Sequence, residues 1–225
     1  MHLRSNRSGN VLIFILMTVL LLGLLTAAVT KMSGGSGNMD AEQAQIRTAK
    51  VVGFAVDLKR AVENMTRAGK SETTISFASQ NLTGYGTPDT AAANEVFNIA
   101  GGGVGYVEVP ENISNGSQWE FYGFTAAPNV GDDATPDLMM VLPNVTQAFC
   151  TSFNTKAGFP SGASIPTDSA ACVHDTSKRF SGTFATAGAI NTMDTATFPD
   201  VNKPYPSACV ACGGSYHAYY VLLER

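Results

Sequence analysis

The sequence predicts an α+β protein in which a long N-terminal helix, transmembrane and then amphipathic, packs on a mainly antiparallel sheet beside a long disulfide-supported loop region. Three observations carry this. Residues 11–29 contain no charge, residues 41–68 repeat apolar side chains at helical spacing, and beyond Gly69 short β-type runs replace the helical period. All four cysteines fall at or after position 150. The order divides the chain into a basic leader (1–9), a membrane helix (10–30), a Gly/Ser hinge (31–40) and an α+β domain (41–225).

The apolar run from Val11 to Val29 is broken only by Thr18, Gly23 and Thr26. As a helix it is roughly 28 Å long, enough to span a bilayer. Val11, Phe14, Leu20, Leu24 and Val29 mark its extent, and the lipid bilayer is the partner expected for residues 11–29. Arg4 and Arg7 precede it and Lys31 follows. The positive-inside rule therefore keeps the N-terminus cytoplasmic and sends everything after Lys31 outside, in a single pass. A cleavable signal has the same charge order, and Thr26-Ala27-Ala28 offers small residues near a cleavage point. Signal h-regions run about 7–15 residues, however, so the longer run here predicts a retained helix.

"KMSGGSGNMD" reads as a hinge, with Asn38 or Asp40 capping a second helix. Over residues 41–68, Val51, Ala55, Leu58, Val62 and Met65 alternate spacings of four and three and form one apolar stripe; Gly69 is the stop. Strands are then expected at Thr73–Phe77, Val96–Ile99, Tyr106–Val109, Trp119–Thr125 and Tyr216–Leu223. "FNIAGGGVGYVEVP" reads as two strands around a glycine turn. It is not a dinucleotide loop, because Tyr106 takes the third glycine position and no Gly-Lys-Ser/Thr follows. "TPDLMMVLPNVTQAFCTSFNTKAG" predicts a helix from Asp137 or Leu138 to Lys156, kinked at Pro143 or restarting at Asn144. Residues 158–208 are rich in Pro, Gly, Ser, Thr and Asp, with strand character only in "RFSGTFATA"; "SYHAYYVLLER" predicts a central strand.

Charged residues make up 14% of the chain, against roughly 25% in typical soluble domains, which suits a surface or secreted protein. A net charge of −4 without a Lys/Arg cluster gives no footprint for nucleic acid. Cys150, Cys172, Cys209 and Cys212 are an even set in an exported segment, so disulfides are expected, with Cys150–Cys172 and Cys209–Cys212 the preferred pairing of three. "CVACGGSYH" lacks the helix of a thioredoxin-like motif, and Gly213 stands where haem attachment needs histidine. Cys209, Cys212 and His217 with Cys172, His174 or Cys150 make a weaker zinc reading without a second tight ligand pair. His174-Asp175 has no nucleophile elbow, and Asp132, Asp133 and Asp137 do not follow the EF-hand spacing. The chain is therefore expected to be no enzyme and to hold no metal or cofactor.

A basic leader ending in Gly9, an apolar helix beginning at once, an amphipathic continuation and an α+β domain with a cysteine-bearing loop: this order resembles type IV pilins and the pseudopilins of type II secretion. "SGNVLIFILMTVLLLGLLTAAVTK", "LPNVTQAFC" and "GGSYHAYYVLLER" are similar to a family of uncharacterised single-pass alphaproteobacterial proteins. The pilin resemblance implies a pilin-like fold in the bacterial inner membrane, with the C-terminal domain periplasmic or extracellular. It also implies a leader-peptidase site between Gly9 and Asn10, and self-association or pilin and secretion-system subunits as partners. Phe14 stands at the fifth mature position, where pilins carry glutamate. The alternative function is a secreted or anchored periplasmic domain that binds a ligand, a glycan or a protein through residues 158–208.

Overall fold

A computed structural model describes residues 15–23 and 36–225. Two units are distinguished, ending and beginning at Gln43 and Ala44. In the first, residues 15–23 are helical (α1), and its apolar side chains from Ile15 to Leu22, Leu20 among them, are exposed. Gly9, Asn10, Val11, Phe14, Leu24 and Val29 lie outside the described residues. Among the described residues no helix is long and apolar enough to cross a membrane.

The next helix, α2 (Ser36–Arg67), starts inside the expected Gly/Ser hinge rather than at Asn38 or Asp40. Extending an established helix by a turn costs far less than nucleating one, so Gly37 is carried along. In the second unit the whole expected stripe, Val51, Ala55, Leu58, Val62 and Met65, is buried, joined by Phe54 and Ala61. The helix closes at Gly69, where Lys70 N–H donates to Met65 C=O at 3.0 Å and Gly69 N–H to Thr66 C=O at 2.9 Å, the double bond of a Schellman end.

Five strands, β1 (Glu120–Ala126), β2 (Asp137–Val145), β3 (Asn191–Thr192), β4 (Ser207–Cys212) and β5 (Ser215–Leu223), form one mixed sheet in the order β3-β1-β2-β5-β4. Only the β1–β3 pair is parallel. Two of the expected strands are β1 and β5, and β5 lies inside the sheet, as its two apolar faces require. The expected helix over Asp137–Lys156 is corrected: its first half is the central strand β2, and only Gln147–Lys156 is helical (α3). A continuous apolar run fits a buried helix and a strand buried on both faces equally well. Here the sheet supplies both covers, with Leu138, Met140 and Leu142 in one core cluster and Met139 and Val141 in the other. Pro143 sits where the β2–β5 register breaks between Leu142 and Val145, the kind of irregularity at which a strand tolerates a missing N–H. Thr146, not Asn144, caps α3, its hydroxyl accepting from Phe149 N–H.

The expected strands at 73–77, 96–99 and 106–109 are not formed; this region meets itself in a single bridge, Ser76 to Glu95. Gly101 and Gly102 fold back so closely that a Cβ on either would strike backbone, Glu95 C=O in one case and Val96 C=O in the other. The glycines there serve close packing.

One face of the sheet is covered by α2, α3 and the 75–113 segment, around Phe54, Leu58, Trp119 and Phe121, with Phe77 stacked on Phe121 at 3.8 Å. The other is covered by residues 159–205, whose Phe159, Val173, Phe198 and Tyr205 meet Tyr122, Val210 and Tyr219. The loop-like region is thus a second layer, built from aromatic side chains on irregular backbone. "RFSGTFATA" runs along the part of β1 that β3 leaves unpaired without becoming a strand, Phe180 N–H donating to Phe121 C=O and Ala185 N–H to Gly123 C=O.

Candidate functional site

Strand β4 organises the chemistry. It is joined to β5 through Gly213 and Gly214, at φ +56° and +78°, and Cys212 faces Ser215 across the two-residue turn. Two positive φ values make the type I′ turn that matches strand twist. Within β4, Cys209 and Cys212 are three positions apart and so point to opposite faces, Cys209 in the α3-side cluster and Cys212 in the other. Three strand steps separate their Cα atoms by roughly 10 Å, whereas a disulfide needs about 4.4–6.8 Å. The preferred pairing is therefore corrected: the bridges are Cys150–Cys209 and Cys172–Cys212, each with Cα atoms 5.3 Å apart.

The first bridge joins α3 to the edge of the sheet. One turn after Cys150, Asn154 spends its whole amide on the same residue: its Nδ2 donates to Cys209 C=O (2.9 Å), and Cys209 N–H donates to its Oδ1 (2.6 Å). A side chain thus takes the place of a neighbouring strand at this edge. Two residues on, Ala211 N–H donates to Pro166 C=O and Asp168 N–H to Ala211 C=O, so the rest of the edge is also paired.

The second bridge lies on the opposite face beside two histidines. His217 pairs with Val210 across the β4–β5 ladder, which places its ring on the same face as Cys212. Asn144 N–H donates to its Nδ1 at 3.4 Å, and His174 stacks on it with ring centres 5.1 Å apart and planes 19° from parallel. Burial, reinforced by the neighbouring His174, pushes the His217 imidazole down to about 4, so it is neutral at ordinary pH. Burial also lowers His174. Among the described residues, Cys172, Cys212 and His217 form the one group of metal-ligand type, their donor atoms all within 4.8 Å of one another. The zinc set weighed from the sequence is thereby changed: Cys209 points away and Cys172 takes its place.

Tyr122, 6.2 Å from His174 ring to ring, leads to a second buried group. Glu120 is buried, and Arg179 grips both carboxylate oxygens, Nε to Oε2 at 2.6 Å and Nη2 to Oε1 at 2.7 Å. Tyr85 O–H donates to Glu120 Oε2 (2.7 Å) and accepts from Phe121 N–H (2.7 Å). Hydrogen bonding to Glu120 raises Arg179, and burial raises Tyr85 and Tyr122, so all three keep their protons. The arrangement is a buried ion pair on the β1 edge, held from both sides by Arg179 and Tyr85.

The remaining sequence candidates turn out to be structural. Asp175 caps the short helical turn after it, accepting from Ser177 N–H and Oγ–H. Asp132 and Asp133 accept from Ala134 N–H and Asn129 N–H in turns. Asp137 is buried and accepts from Ala127 N–H (2.9 Å) and Arg225 N–H (3.1 Å), while burial pushes its carboxyl up to about 6. Comparison with protein-family models, with curated proteins and with solved structures yields no match, so function is argued from the chain's own residues.

Proposed function

We propose that the chain is a pilin-like or pseudopilin-like structural and interaction protein of the bacterial envelope, held in the inner membrane by its N-terminal helix. It does no catalysis, and its α+β domain lies in the periplasm or outside the cell. The observation that carries this reading is the apolar helix at residues 15–23, where Ile15, Leu16, Met17, Val19, Leu20 and Leu21 are exposed. Such a surface needs a bilayer or the stems of neighbouring subunits. Two disulfides agree with an oxidising compartment, and α2 packed along its apolar stripe on a mostly antiparallel sheet agrees with a pilin-like stem and head.

The test is membrane fractionation followed by N-terminal sequencing of the mature chain. A membrane-bound product starting at Asn10 supports the reading, and a soluble product starting near Val29 overturns it. The second reading, a partner- or ligand-binding domain, draws on a cleft at the β1 edge lined by Phe124, Lys178, Arg179 and Phe184.

A further inference from the structure

The Cys172–Cys212 bridge has a neighbour that Cys150–Cys209 lacks. Cys212 and His217 sit diagonally on adjacent strands with their side chains on one face, and Cys172 descends on them from the covering layer. Two sulfurs and an imidazole nitrogen within 4.8 Å are the donor set of a thiolate–histidine zinc site. Cys212 and His217 are buried, and the ladder that positions them is fixed by backbone pairing. His174, half-buried against His217, is the nearest further imidazole for a fourth position.

We infer that Cys172, Cys212 and His217 form a zinc-type metal site that the disulfide keeps closed and that a dithiol reductant opens. The dithiol gives two electrons and two protons to the bridge. The sulfur–sulfur bond breaks, two cysteine thiols form, and the dithiol leaves as its own disulfide. Binding Zn²⁺ then releases the two thiol protons to solvent and leaves two thiolates and a neutral imidazole on the metal. Around a tetrahedral zinc the two sulfurs stand about 3.8 Å apart, given bonds of about 2.3 Å. Side-chain rotation from Cα atoms 5.3 Å apart reaches that separation without moving β4 or the Cys172 backbone. The metal displaces one long hydrogen bond, from Asn144 N–H, if it takes Nδ1. Cys150–Cys209 is an internal control, because it lies on the opposite face with no histidine in its group.

The experiment reduces the full chain with dithiothreitol, removes the reductant anaerobically and titrates with Co²⁺. One Co²⁺ per reduced chain is expected, with thiolate-to-cobalt charge-transfer absorption that Zn²⁺ abolishes by displacement, while the oxidised chain develops none. Cys172→Ser and Cys212→Ser should lose the charge-transfer bands. His217→Gln should weaken binding by about 100-fold or more, since even groups that only orient a ligand cost 10- to 100-fold. The Cys150→Ala/Cys209→Ala double variant should keep the full stoichiometry and spectrum. Zinc should protect Cys172, the partly exposed member of the pair, from alkylation that marks it in the zinc-free reduced chain, as read by peptide mapping. The inference is overturned by equal metal uptake in the oxidised chain or by no uptake after reduction. Charge-transfer bands that disappear in the Cys150→Ala/Cys209→Ala variant overturn it too, as does loss of far-ultraviolet circular dichroism on reduction.

Discussion

Replacing Cys150 and Cys209 together by alanine removes one bridge and leaves the other in place. The two bridges cross in sequence, so the entropy at stake is not that of the full 59-residue separation. With Cys172–Cys212 intact, the shortest path from Cys150 to Cys209 runs 22 residues to Cys172, crosses the bridge and returns three residues from Cys212. An effective loop of about 25 residues corresponds to about 3.5 kcal/mol in the chain-entropy model. For a domain of this size that lowers the melting temperature by roughly 7–14 °C. Trp119, the sole tryptophan and fully buried, reports the transition by fluorescence in urea under non-reducing conditions. A loss below about 1 kcal/mol, or a Cys209–Cys212 peptide in a non-reducing digest, would refute the reasoning that places these cysteines on opposite faces of one strand.

Asn154→Ala strands a buried N–H and C=O of Cys209 and should cost about 2–4 kcal/mol in the same urea assay. Arg179→Ala leaves Glu120 buried without its cation and should cost about 3 kcal/mol. A Glu120→Gln/Arg179→Met double variant should recover most of that loss. Between about pH 4 and 6 two buried groups act in opposition. Asp137, raised in the folded state, holds a proton that the unfolded chain has lost, so its contribution declines as pH rises. His217, lowered in the folded state, stays neutral while the unfolded chain charges, so its contribution grows. Across this window stability should therefore rise more steeply with pH in Asp137→Asn than in the parent, and less steeply in His217→Gln.

Elements whose periodicity was unambiguous were legible in the sequence. The α2 stripe from Val51 to Met65 could be read because a solvated helix face contrasts with a buried one, and β5 because Tyr216, Tyr219, Tyr220 and Val221 give it strand composition after Gly213-Gly214. Strand β2 was hidden by its double burial, since Leu138–Leu142 carries no period to separate strand from helix. Strand β4 was hidden by its cysteines, which invite a motif reading. The alternation of Cys209 and Cys212 across Val210 and Ala211, followed by Gly213-Gly214, was the available signal for a hairpin. That signal also forbids the Cys209–Cys212 bridge and would have corrected the pairing. Nothing in the local sequence indicates that residues 159–205 form a layer, because Phe159, Val173, Phe198 and Tyr205 are too widely spaced to show any period. The weaker zinc reading did name Cys172 beside Cys212 and His217, but that the three meet without Cys209 depends on this layer and on the alternation of β4.

The crossed bridges also have a mechanical meaning. A pull between the chain's two ends enters the bridged region at Cys150 and can leave through Cys209, bypassing the 59 residues between them. At full extension the oxidised chain is therefore shorter than the reduced one by about 200 Å, at about 3.5 Å per residue. The layer of residues 159–205 is thereby shielded from the pull, whereas Phe54, Phe77, Trp119 and Phe121, all before Cys150, bear it through packing alone. A protein tethered at its N-terminal end and loaded at the other would, in its oxidised form, keep residues 150–212 tied together while the segment before Cys150 still gave way.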